Sequence, residues 1–167
     1  MIIRMGAPAA HRGGETHELG AFETLHYSDA GRLTQFGAHV ETLQPGSQSS
    51  ERHWHEKEDE FLYLISGEAT VLENDGAHTL RAGDAACWAA GTANAHCVVN
   101  RSDVPCTYLI VGTRPSHDVC HYPDASKALH TEGDAWRMVG SDGAVIREGR
   151  VRSRDAERFV RADSSAA

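Results

Sequence analysis

Two histidines one residue apart, His53 and His55, with Glu60 five positions further on, are the residues of this sequence best suited to chemistry. Side chains alternate faces along a strand, so an H-x-H on extended backbone aims both imidazoles the same way, about 7 Å apart along the chain. That is a metal-chelating pitch. Glu60 opens the apolar run Phe61-Leu62-Tyr63-Leu64-Ile65, which ends at Ser66-Gly67. A carboxylate at the mouth of such a run is costly to bury unless something positive pairs with it, and a divalent cation shared with two histidines would do so. Two neutral nitrogens and one anionic oxygen suit zinc, iron, manganese, nickel or copper better than calcium.

The elements that must hold these groups read as short strands. Phe36, Ala38 and Val40 alternate with Gly37, His39 and Glu41, the period of a half-buried strand, before Gln44-Pro45-Gly46 interrupts it. After the His53-His55 strand and the run from Glu60 to Ile65, Ser66-Gly67 turns the chain into Ala69 to Leu72. Asn74-Asp75-Gly76 is a hairpin signal, and His78-Thr79-Leu80 returns. Ala85 to Ala89, His96 to Val99 and Thr107 to Val111 complete the series. Strands this short and this regularly spaced, with no helical period between them, describe an all-β sandwich or closed barrel.

At 167 residues the chain has room for one domain with a proper core. The barrel core is expected over 33–113, with an irregular or weakly stranded N-terminal arm over 1–32 and a C-terminal extension over 114–167. Past Arg114 the pattern fades. Trp136 to Val139 and Ala144 to Arg147 flank Ser141-Asp142-Gly143 as a late hairpin, and the charged tail holds a short exposed helix around Asp155 to Val160 before a disordered end at 164–167.

A net charge of −8 supplies no basic field to attract nucleic acid or an anionic membrane. No apolar run approaches the roughly 20 residues a membrane helix requires. Cys87, Cys97, Cys106 and Cys120 lack C-x-x-C spacing and no secretory segment precedes them, so reduced thiols in a soluble cytoplasmic protein are expected. Apolar residues on both faces of the Phe61 to Ile65 run call for a cover on the outer face, which a homodimer would provide.

The spacing from Gly46 through His53, His55 and Glu60 to Gly67 resembles the first signature motif of the cupin superfamily, with one extra residue before the first histidine. Gly83-Asp84, Ala89-Ala90-Gly91, His96 and Asn100 resemble the second, with Ala89 where the family usually has proline and two extra residues between Gly91 and His96. More narrowly, RHWHEKEDEF is similar to a phrase of small single-domain bacterial cupins. The resemblance implies a double-stranded β-helix (jelly-roll) barrel holding one divalent transition metal on His53, His55, Glu60 and His96. Glu58 or Asp59 could replace Glu60 as the oxygen ligand, although Glu60 alone has the family distance to Gly67.

Four protein ligands on a six-coordinate metal leave two positions open, which separates a catalytic or ligand-binding metal from a closed structural one. The expected function is a metal-dependent enzyme acting on a small oxygen-rich substrate, by dioxygenation, decarboxylation, isomerisation or lyase chemistry according to the ion. The alternative is a non-catalytic module that senses a small metabolite or stores metal. Of eleven histidines, those four-ligand positions claim three. His39, on a strand that could line the barrel, is the one further histidine to consider for substrate contact. Trp54 and Tyr63 fall on faces away from the metal and are expected to pack, and Cys87-Trp88 could form a pocket wall.

Overall fold

The computed structural model describes residues 1–150, and the expected tail helix and disordered end lie outside the described residues. The described residues fold into fourteen strands: β1 (Ala10–Gly13), β2 (Phe22–His26), β3 (Phe36–Leu43), β4 (Trp54–His55), β5 (Glu60–Ser66), β6 (Glu68–Glu73), β7 (Gly76–Arg81), β8 (Ala85–Trp88), β9 (Cys97–Val99), β10 (Cys106–Thr113), β11 (His117–Tyr122), β12 (Lys127–Glu132), β13 (Ala135–Gly140) and β14 (Val145–Arg150). A single helical turn spans Tyr27–Ala30 and a 3-10 turn spans Pro123–Ala125.

Six strands form one antiparallel sheet in the order β1-β2-β3-β10-β5-β8, and a smaller sheet runs β7-β6-β9. Their inner faces share one core, with Leu43, Leu62, Leu64, Cys106 and Tyr108 from the first meeting Ala69, Val71, Leu80 and Val98 from the second. This is the all-β architecture that the short, evenly spaced strands predict, in the jelly-roll form that the resemblance implies. The alternation in β5 is clean: Leu62 and Leu64 are fully buried, while Phe61, Tyr63 and Ile65 stay 38–47% exposed on the outer face.

The turn between β5 and β6 explains the glycine that ends the first motif. Gly67 has φ +79, and a Cβ there would lie 2.6 Å from the Pro105 carbonyl oxygen and 2.8 Å from the Cys106 Cα. Only glycine meets both conditions without moving the backbone.

The N-terminal arm is more strand-rich than its composition suggests, since β1 pairs with β2 and β2 pairs with β3, widening the main sheet at its edge. The C-terminal extension gives the largest departure from the sequence expectation. The Trp136 hairpin forms as β13 and β14, and β11 and β12 join it in a third sheet ordered β14-β13-β12-β11-β4. That sheet ends on β4, the strand that carries His55, and it buries its own small core of Cys120, Tyr122, Leu129 and Trp136. The stretch where the sequence signal fades is therefore a wall beside the H-x-H segment.

Candidate metal centre

Two strands and a bridge bring the four candidate residues together. His53 and His96, 43 residues apart, sit directly opposite each other in an isolated antiparallel bridge. Each backbone N–H donates to the other's carbonyl, at 3.0 and 2.9 Å. Residues opposed in this way project to the same side, which puts the two rings 5.0 Å apart. His55 follows two residues on, with its ring 5.2 Å from that of His53. Glu60 enters from the start of β5: its Oε2 lies 2.9 Å from His96 Nε2 and 3.9 Å from His55 Nε2.

Each histidine commits its Nδ1 to an outward partner, which leaves Nε2 for the centre. His53 Nδ1 donates to the Glu51 carbonyl at 2.9 Å, and His96 Nδ1 to the Asn94 carbonyl at 3.2 Å. His55 Nδ1 donates to Asp118 Oδ2 at 2.5 Å, and the other oxygen of Asp118 accepts the Lys57 backbone N–H at 2.8 Å. A carboxylate behind a ligating histidine fixes its tautomer and raises its basicity. Trp88 stacks on the ring of His96 at 3.8 Å and 7°, held by its own N–H bond to Glu73 Oε1 at 2.6 Å.

Electrostatics prepare the donors. Burial pushes His53 down to about 4, against the attraction of Glu60, so its ring is neutral near pH 7. Burial would raise the Glu60 carboxyl, but the hydrogen bond from His96 and the nearby His53 and His55 outweigh it and bring the group to about 2. A neutral imidazole facing an ionised carboxylate is the donor chemistry of a borderline transition metal. Ligand atoms of His53, Glu60 and His96 all lie within 4.8 Å of one another, and the residues present fit such an ion.

Two alternatives left open by the sequence separate here. Asp59 accepts the Ala90 backbone N–H at 2.8 Å and so closes a loop. Glu58 lies on the outward side of His55, its Oε2 3.9 Å from Nδ1. Of the three acids only Glu60 reaches the inward nitrogens. His39 is on the inward face of β3, opposite Ile110 and with its ring 5.5 Å from that of His26, so it lines the barrel interior. Trp54 faces the other way and stacks on His121 at 4.3 Å.

Sequence reasoning missed Asp118, Cys120 and Tyr122, three alternate residues of β11 that are all buried on the side facing His53 and His55. Their period of two is present in the sequence, but an aspartate in the row keeps it from reading as an apolar face. Replacing Asp118 with Asn is expected to weaken metal binding by about 10–100-fold while preserving the fold. Competition against a chromophoric chelator measures this, and an unchanged affinity would show that Asp118 does not act through His55.

The comparisons agree with this geometry. Residues 39–112 match the family model described as a cupin domain. A solved structure from Silicibacter pomeroyi, described as a sugar phosphate isomerase from a cupin superfamily, is 30% identical with a TM-score of 0.79, over 88% of this chain and 97% of that one. A second, from Acidithiobacillus ferrooxidans and given the same activity provisionally, is 27% identical with a TM-score of 0.72, over 83% and 89% of the two chains. The tetracenomycin polyketide synthase protein TcmJ of Streptomyces glaucescens is 34% identical over 99 residues, which span 59% of this chain and 60% of that protein. Fold, motif residues and relatives together define a barrel with a histidine- and carboxylate-lined centre. The chain belongs to the cupin superfamily.

Proposed function

We propose that this protein is a metal-dependent enzyme that isomerises a small α-hydroxy carbonyl compound, a sugar or sugar phosphate, with one divalent transition metal on His53, His55, Glu60 and His96. The observation that carries this reading is the convergence of three outward-anchored histidines and one ionised carboxylate, set beside a 30% identical relative described as a sugar phosphate isomerase.

The bound cation would act as a Lewis acid that polarises the substrate's carbonyl oxygen. The protein's own groups supply the rest. Glu51, Asp118 and Asn94 hold the three imidazoles in their working tautomers, Trp88 fixes the plane of His96, and His26 and His39 present imidazoles to the barrel interior. Isomerisation moves one proton between neighbouring carbons and a second from the hydroxyl to the former carbonyl oxygen, and it requires no oxidant and no second substrate.

The test is a panel of aldoses, ketoses and their phosphates offered to protein reloaded with zinc, manganese, iron, nickel or copper, followed by proton NMR in D₂O. Interconversion accompanied by deuterium uptake at the carbon beside the carbonyl is expected. No turnover with any metal, together with thermal stabilisation by one of the sugars, would replace the enzyme with a metabolite-binding module.

A homodimer of single-domain chains in the cytoplasm completes the reading. Phe36, Phe61, Tyr63 and Ile65 are each about 40–50% exposed, and strand register sets Val40, Leu109 and Val111 on the same outer face. An apolar surface of this kind is the ordinary mark of an interface, and a second copy is the occupant we propose. Light scattering should give twice the 18.1 kDa chain mass, falling to a single chain in Tyr63→Asp. A monomeric wild-type protein would remove the dimer.

A further inference from the structure

The inward row of β11 brings a sulfur beside His53 and His55. Cys120 lies directly opposite His55 in the β4–β11 pair. A ring nitrogen of His53, a ring nitrogen of His55 and the Cys120 sulfur all lie within 4.8 Å of one another. The thiol is 4% exposed and belongs to no disulfide. This cluster and the His53, Glu60, His96 cluster share His53. A metal bonded to nitrogen at about 2.0–2.1 Å and to sulfur at about 2.3 Å needs donors no more than a few ångströms apart, which this corner provides with small side-chain adjustments.

A second observation points into the same corner. Tyr122, two residues on and 1% exposed, sets its ring 5.7 Å from that of His53. Its hydroxyl neighbours the Cys120 thiol and finds no nitrogen or oxygen partner among the described residues. Buried hydroxyls are nearly always hydrogen-bonded, and the group beside the Tyr122 hydroxyl here is the Cys120 sulfur.

We infer that Cys120 is a further ligand of the metal, bonded through sulfur alongside His53 and His55, and that it biases the centre toward thiophilic ions such as zinc or copper over manganese. This rests on the metal-centre reading above. When the ion binds, a metal–sulfur bond forms, the S–H bond breaks and its proton leaves to solvent, with no change of oxidation state. Thiolate is a soft donor and carboxylate a hard one, so a set holding both discriminates among ions by which ligand each prefers.

Cobalt(II) tests this without reference to activity. Protein stripped with chelator and reloaded with one equivalent of Co(II), free of added thiol, should show visible ligand-field bands and a near-ultraviolet sulfur-to-cobalt charge-transfer band. In Cys120→Ser, and in Cys120→Ala should serine disturb packing, the near-ultraviolet band should vanish while the visible bands remain. Zinc affinity should fall roughly tenfold or more and manganese affinity should stay within about twofold. Visible bands without the near-ultraviolet band in the wild type would overturn the Cys120 ligand and leave the metal centre standing. The same band surviving in Cys120→Ser would assign it to another thiol and overturn the inference. Failure to take up cobalt would overturn the metal centre and Cys120 with it.

Discussion

Chelation is expected to lower the thermal midpoint of the wild-type protein by about 5–10 °C and to leave that of His96→Ala unmoved. An ion present at about 100 times its dissociation constant adds roughly 2.7 kcal/mol to the folded state. In a chain of this length each kcal/mol corresponds to about 2–4 °C. His96 is the right residue to remove because it is 4% exposed, touches Glu60 directly and lies under Trp88. Alanine takes away one nitrogen donor and leaves the backbone bridge to His53 intact, since that bridge uses only main-chain groups. Elemental analysis should find about one metal per chain in the wild type and less than about a tenth of that in the variant, more than the ~100-fold loss that marks outer-shell changes. The comparison is made on the response to chelator, because His96→Ala also strips the Glu60 carboxylate of its partner and lowers the midpoint for that separate reason. Metal content unchanged in His96→Ala would remove that residue from the ligand set.

Short-range geometry singles out His53, His55 and a nearby carboxylate in the sequence, and the family resemblance adds His96. H-x-H, Glu60 and the two glycines of the first motif sit within 22 residues, where strand alternation and turn chemistry act over short range. His96 was reachable through the second motif. The hairpin at Asn74-Asp75-Gly76 formed with Glu73 opposite Gly76 for the same local reason.

Of the third wall the β13–β14 hairpin was legible, but β11 was not, for a physical reason that concerns its function. A strand is recognised by apolar residues on one face, and β11 reads His-Asp-Val-Cys-His-Tyr, with Asp118, Cys120 and Tyr122 as its buried face. A strand whose inner face meets a polar centre carries polar residues inward, so it fails the test that finds ordinary core strands. Asp118 also lies 63 residues from the histidine it orients, a separation that no local pattern spans. Places where local reading breaks down are often places where the chain serves chemistry instead of packing, and β11 is one.

The second large effect is a contrast between neighbours on one strand. Leu64→Ala is expected to destabilise the protein by about 2–5 kcal/mol, the range for emptying a fully buried leucine site, and to lower its thermal midpoint by roughly 5–15 °C. Leu64 is 0% exposed and packs in the main core with Leu62, Val71, Val98 and Tyr108. Tyr63, one residue earlier, points to the outer face and is 41% exposed in the single chain. For an isolated subunit, Tyr63→Ala should cost less than about 1 kcal/mol, because truncating an exposed side chain opens no cavity. In a dimer that covers this face, the same truncation removes a large aromatic from an interface, and aromatic anchors there are among the costliest to lose. Thermal denaturation at two protein concentrations separates these cases. A Tyr63→Ala deficit that appears at high concentration and shrinks on dilution belongs to the interface. A deficit independent of concentration and as large as that of Leu64→Ala would mean that the outward face of β5 is covered within the chain itself.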